Sequence, residues 1–152
     1  LMAVLYLTST APREGKTAFG AAFGMQALDQ GRRVGFFKPF SSAPDAERDQ
    51  TADADAEFFR SLLSLSETAD LLCPMSTVSK DLDSVPLQGI QDAFKRVSQG
   101  KDLMIVEGPS ARGEKAVSHS RRVASALGAQ VILISGYRWG MDPQDLMVDD
   151  IL

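Results

Sequence analysis

The sequence predicts an α/β fold, a mostly parallel sheet flanked by helices. Three observations carry this. Four short runs are almost wholly apolar, around Ala3–Leu7, Arg33–Phe37, Leu103–Val106 and Gln130–Ser135. Strands that are apolar at every position, rather than at every second one, belong to sheets covered on both faces. Between the runs lie segments whose apolar residues recur at helical spacing. Strand and helix alternating along one chain is the signature of a parallel sheet.

The first strand, Ala3-Val4-Leu5-Tyr6-Leu7, stops at the polar Thr8-Ser9-Thr10, and Gly15-Lys16-Thr17 follows just ahead of an expected helix from Ala18 to Gln30. Strand, loop, Gly-Lys-Thr and helix is the context of a phosphate-binding loop. Backbone N–H groups of the loop and first helical turn can converge on an anion. Lys16 is placed to reach β- and γ-phosphates, and the Thr17 hydroxyl to ligate Mg²⁺. Thr10, Arg13, Glu14, Gly15, Lys16, Thr17 and Ala18 are therefore the candidate nucleotide-binding set. The usual pattern has Gly five residues before the Gly of Gly-Lys-Thr; Thr10 stands there instead. The bland alternative is a helix N-terminus that happens to carry these three residues.

Along the first helix, Ala18, Ala21, Ala22, Met25 and Leu28 form the expected apolar face, and Gly31 suits the C-cap. Strand two, Arg33–Phe37, ends at Pro39, and Lys38-Pro39-Phe40-Ser41-Ser42 reads as a loop. A polar stretch from Ala43 leads to a helix entered at Ala52 and running to about Leu65. Asp53 and Asp55 lie in or before its first turn, where acids commonly complement the helix dipole; metal binding is the competing reading. Leu72-Cys73-Pro74-Met75 reads as a loop, with Cys73 a packed small residue rather than a nucleophile. A helix over Pro86–Gln99 places Leu87, Ile90, Phe94 and Val97 on one face. The third strand ends in Glu107-Gly108. Ligands of parallel sheets gather beyond the carboxyl ends of strands, so Glu107 is expected to share a crevice with Thr17; a solvated strand-end acid is the alternative. Pro109–Val117 reads as a loop and Ser118–Leu127 as a helix, with His119 on its surface. Trp139 reads as packing. Asp142-Pro143 is a strong helix start, and its helix runs to Leu152 without a following element, which reads as a fragment of a longer protein. Leu1 ahead of Met2 reads as an expression remnant.

The 152 residues fit one domain, 44% hydrophobic, with net charge −4 and pI about 4.9. No basic cluster suggests nucleic acid, and no long apolar span suggests a membrane. A single cysteine excludes an internal disulfide framework and fits a reducing cytoplasm.

With these residues in view, the chain resembles the dethiobiotin synthetase-like P-loop proteins, which include dethiobiotin synthetase, the ATP-binding part of cobyrinic acid a,c-diamide synthases and the amino-terminal domain of some long bacterial phosphate acetyltransferases. The resemblance rests on Ser9–Thr17, Val34-Gly35-Phe36-Phe37-Lys38-Pro39, Asp53-Ala54-Asp55 and Val106-Glu107-Gly108-Pro109, and covers nearly the whole chain. Leu-Thr-Ser-Thr and Asp-Ala-Asp-Ala-Glu-Phe-Phe are closest to the phosphate acetyltransferase-associated domains. It implies a P-loop fold, ATP and Mg²⁺ as cofactors, a metal set of Thr17, Asp55 and Glu107 with Asp53 as alternate, and catalytic roles for Lys16, Lys38 and Glu107. Lys38 matches the lysine on the substrate carbamate, Ser42 a substrate-contacting hydroxyl, and Gly108 and Pro109 the substrate loop. It also implies a small-molecule substrate and a homodimer with the site near the interface. Two departures stand out. Ala11-Pro12 replaces an Asp-Thr pair, and Pro109-Ser110-Ala111 replaces Ala-Gly-Gly. The lysine through which the related partitioning ATPases dimerise is here Ala11.

Two functions follow from the resemblance, and a third option, a scaffold with a vestigial loop, is opposed by the intact Lys16 and Thr17. One is an ATP-dependent ligase that phosphorylates a carboxylate or carbamate oxygen. The other is a nucleotide-binding regulatory domain of a phosphate acetyltransferase.

Overall fold

The computed structural model describes residues 2–41, 52–75, 87–110 and 113–136. Ser42, Arg112, Trp139 and the expected helix from Pro143 lie outside them. The described elements run β1 (Ala3–Ser9), α1 (Lys16–Asp29), β2 (Val34–Phe37), α2 (Ala54–Leu62), α3 (Ala69–Leu72), α4 (Leu87–Val97), β3 (Leu103–Ser110), α5 (Gly113–Ala126) and β4 (Gln130–Ile134). The four strands form one parallel sheet in the order β2-β3-β1-β4. This is the expected fold class, and β1 and β3, whose ends carry Thr8-Ser9 and Glu107, lie side by side at its centre.

β1, β2 and β3 are buried along nearly their whole length, with Tyr6, Phe36, Phe37 and Val106 all fully enclosed. β4 departs from the expectation of a sheet covered throughout. It is an edge strand paired only with β1 among the described residues, and Val131 and Leu133 are 53% and 40% exposed.

α1 corrects the expected helical face. Ala18, Ala22 and Met25 point outward, whereas Gly20, Gly24 and Ala27 are buried. The cause is distance. A Cβ on Gly20 would stand 3.1 Å from Leu7 and Phe59, and one on Gly24 3.1 Å from Ile105 and 3.2 Å from Leu63. The helix lies so close to β1, β3 and α2 that glycine forms its contact stripe, and the larger side chains are turned away. α4 buries Ile90, Phe94 and Val97 as periodicity predicts, with Leu87 only half-buried.

Three further boundaries differ. Leu72 closes the short helix α3 rather than opening a loop, and residues 72–75 lie beside the segment after β2 through Lys38 N–H to Leu72 C=O (2.8 Å) and Ser41 N–H to Met75 C=O (3.0 Å). Cys73 is buried there, as expected. β3 continues through Pro109 to Ser110, and α5 begins at Gly113, so the expected loop over 109–117 is mostly strand and helix. His119 is on the buried side of α5, 2% exposed with its ring centroid 5.2 Å from that of Phe40, and not on the surface.

Candidate functional site

At the carboxyl end of β1 the chain turns through Thr10–Gly15 into α1. Arg13 (φ 65°) and Gly15 (φ 92°) both have left-handed backbone. Gly15 is the N-cap of α1. Nothing stands within 4 Å of where its Cβ would be, so backbone conformation, and not crowding, makes glycine the fitting residue. Glu14 folds back over the loop, where its carboxylate accepts the Thr10 hydroxyl at 2.7 Å and the Ala11 N–H at 2.8 Å. Burial alone would raise its pKa, but these bonds and others from loop N–H groups outweigh it and hold Glu14 below the ordinary range. The Glu14 side chain thus braces the loop. Among the candidate nucleotide-binding residues, Gly15, Lys16, Thr17 and Ala18 make up the first turn of α1 with its cap, the part whose N–H groups lack helical partners.

The Lys16 ammonium donates to the Ser9 and Ser110 hydroxyls, both at 3.0 Å. Its pKa is lowered by burial, partly offset by the Glu107 carboxylate. One residue on, Thr17 Oγ1 lies 3.4 Å from Asp55 Oδ1 and 3.3 Å from Glu107 Oε2. A hydroxyl from α1, a carboxylate from the first turn of α2 and a carboxylate from the end of β3 therefore meet at one point.

The two aspartates at the start of α2 have different surroundings. Asp53 is the N-cap, accepting from Asp55 N–H (3.1 Å) and Ala56 N–H (3.2 Å). It also accepts the Ser41 hydroxyl at 2.8 Å and Lys38 Nζ at 3.2 Å. Its carboxylate is buried and fully engaged. Burial would raise its pKa, but Lys38 and the hydrogen bonds depress it. Asp55 is one-third exposed and bridges Lys38 with one oxygen to Thr17 with the other. The geometry separates the two roles left open by sequence: Asp53 caps the helix and holds Lys38, and Asp55 faces Thr17 and Glu107.

Lys38 is almost wholly enclosed between these two carboxylates. Desolvation opposes its charge, but the Asp55 hydrogen bond and the Asp53 charge more than compensate and raise its pKa. Glu107 goes the other way. Burial, then repulsion from Asp55, pushes its pKa up to about 7.

Gly108 and Pro109 directly follow Glu107 along β3. A Cβ on Gly108 would overlap the phenol ring of Tyr6, so glycine is required there by packing. The Tyr6 hydroxyl is itself buried, its pKa pushed up to about 12 by that burial. The Pro109 carbonyl accepts the Thr8 hydroxyl at 2.9 Å. Sequence reasoning did not single out Ser9, Ser41 or Ser110 as site residues, although each bonds a charged side chain of the site. A Gly-Pro pair at the end of the expected strand was the available signal for Ser110, because such a pair can mark a bulge within a strand that continues.

Could these residues hold a divalent cation? Thr17, Asp55 and Glu107 are hard oxygen donors. Among the described residues no group of three or more His, Cys, Asp or Glu converges. Two carboxylates and one hydroxyl suit Mg²⁺, which takes one or two carboxylates and completes its shell with water and phosphate oxygens.

The fold and this loop define a P-loop nucleotide-binding domain. The family described as AAA domain matches residues 3–149, and the chain belongs to that family, one of the dethiobiotin synthetase-like P-loop proteins. The chain is 30% identical over 141 residues to a phosphate acetyltransferase of Nitrosomonas europaea, covering 88% of this chain and 20% of that protein. It thus spans about a fifth of that relative's length. Among solved structures, one described as APE1195 has a TM-score of 0.44 at 16% identity, covering 88% of this chain and 59% of that one. The BceF tyrosine kinase domain has a TM-score of 0.44 at 15% identity, covering 86% and 55%. No helix among the described residues is long and apolar enough to cross a membrane.

Proposed function

We propose that the domain binds Mg-ATP and activates a carboxylate or carbamate oxygen by phosphorylation, in a ligase-like reaction of the dethiobiotin synthetase type. The observation that carries this reading is the meeting of Thr17, Asp55 and Glu107, with Lys16 and Lys38 beside them. The first turn of α1 and Lys16 would bind the β- and γ-phosphates. Thr17, Asp55 and Glu107 would hold Mg²⁺, which when bound neutralises charge on the phosphate oxygens. Lys38, here paired to Asp53 and Asp55, would turn from Asp55 to the acceptor anion once Asp55 holds the cation, with Ser42, Gly108 and Pro109 proposed to border the acceptor. Phosphoryl transfer is mostly positioning and electrostatic stabilisation, and an ionised carbamate needs no general base. This suits a site whose charged groups are the lysines Lys16 and Lys38 and the carboxylates of Asp53, Asp55 and Glu107.

The test is ADP release in the presence of bicarbonate and diamino carboxylates. Glu107→Gln is expected to abolish release while nucleotide stays bound. Lys38→Ala is expected to weaken the acceptor and leave ATP affinity intact. Unchanged release in the Glu107 variant would refute its role.

The phosphate acetyltransferase relative supports a second reading, a nucleotide-binding regulatory domain of such an enzyme. It predicts nucleotide binding with no ADP release under any of these conditions.

A further inference from the structure

β1 and β3 run in register until the site. Ala3 pairs with Leu103, Leu5 with Ile105 and Leu7 with Glu107; then the register shifts, and Ser9 pairs with Ser110. Two steps along β1 are matched by three along β3. The extra residue falls at Gly108-Pro109. Proline has no N–H to give the ladder, and glycine accommodates the Tyr6 ring.

The bulge changes which way Ser110 points. Leu7 and Ile105 both face α1, since they are the atoms that a Cβ on Gly20 would meet. Alternation puts Ser9 and Glu107 on that same face. Three steps beyond Glu107, an unbulged strand would turn residue 110 to the opposite face. The inserted residue turns it back, and its hydroxyl meets Lys16 Nζ at 3.0 Å and Ser9 Oγ at 3.2 Å. Bulges beside functional sites commonly re-aim a side chain in this way.

We propose that Ser110 is a positioning residue for Lys16: the Gly108-Pro109 bulge turns its hydroxyl onto the ammonium, and together with Ser9 it fixes that group over the phosphate loop. The inference rests on Lys16 binding phosphate. An ammonium has three protons. Two go to the serine hydroxyls, and the third is left for the phosphate chain. Ser9 gives its proton to the Ala11 carbonyl at 2.7 Å and offers its lone pairs to Lys16, but a single acceptor leaves the ammonium free to swing on its flexible stem. Ser9 anchors the loop, and Ser110 completes the cradle from the neighbouring strand.

Calorimetric titration of Mg-ATP into the wild type, Ser110→Ala, Ser110→Thr and Lys16→Ala tests this. Ser110→Ala is expected to weaken binding about ten-fold, the scale of one hydrogen bond to a charged group. Ser110→Thr, which keeps the hydroxyl, is expected to restore affinity to within about two-fold of wild type. Ser110→Ala binding like the wild type would overturn the proposal. So would equal losses in both serine variants, which would implicate shape rather than the hydroxyl. Absence of binding by the wild type would overturn the nucleotide reading instead. The free protein then decides, through proton exchange of the Lys16 ammonium followed by ¹⁵N NMR. Exchange slowed in the wild type and Ser110→Thr but faster in Ser110→Ala supports the cradle, and equal exchange in all three overturns it.

Discussion

The Glu107 carboxylate lies 3.3 Å from the Thr17 hydroxyl in a setting that disfavours its charge. Its pKa of about 7 compares with an ordinary 4.5. Between those values the folded state holds a proton that the unfolded chain has lost, so stability falls as pH rises through this window and stays reduced above it. Glu107→Gln removes the cost. We expect the variant to be more stable than wild type at pH 8, by up to about 3 kcal/mol, with the advantage vanishing near pH 4. Urea melts at the two pH values check this. A variant less stable at pH 8 would mean that Lys16 and Lys38 already compensate the charge.

Asp53 and Asp55 predict opposite outcomes. Asp53→Ala removes a helix cap and leaves Lys38 with half of its buried counter-charge, for a loss of roughly 3–5 kcal/mol. Asp55→Asn also takes one counter-charge from Lys38, but it keeps the helix cap and the shape of a one-third-exposed group and relieves the repulsion on Glu107, so it should cost clearly less than Asp53→Ala while weakening Mg²⁺-dependent nucleotide binding. Denaturant melts beside titrations with and without Mg²⁺ separate the two. Equal destabilisation would contradict the division of roles.

Gly108→Ala places a methyl group inside the Tyr6 ring. Either the ring or the bulge must move, at a cost of about 1–3 kcal/mol. Tyr6→Phe should not rescue the variant, because ring carbons as well as the hydroxyl fill the space. An alanine variant with wild-type melting would show that Gly108 is not a packing glycine.

On α1, Gly24→Leu should destabilise by about 2 kcal/mol or more, since the helix has no room to retreat from Ile105 and Leu63. Met25→Ser on the outer face should stay within about 0.5 kcal/mol. The expected apolar face, which included Met25, predicts the reverse order.

The sheet, its parallel sense and the phosphate loop were legible because uninterrupted apolar runs and Gly-Lys-Thr are local signals. The acids at 53, 55 and 107 were legible as candidates. The split between Asp53 and Asp55 was not, since it depends on Lys38 and Ser41 arriving from another segment. The face of α1 was misread because periodicity takes large apolar residues as inward, whereas here the closeness of Leu7 and Ile105 selects glycine. His119 was misplaced because the residue it packs on, Phe40, arrives from the distant segment after β2. Ser110 was hidden by the alternation rule itself, which a single inserted residue reverses.

The most direct test of the central claim, a working phosphate loop, is calorimetric titration of Mg-ATP and Mg-GTP into the wild type and Lys16→Ala. The account predicts saturable binding of nucleotide by the wild type, weakened by about a hundred-fold or more without the lysine. No binding by the wild type, or equal binding by both proteins, would contradict it.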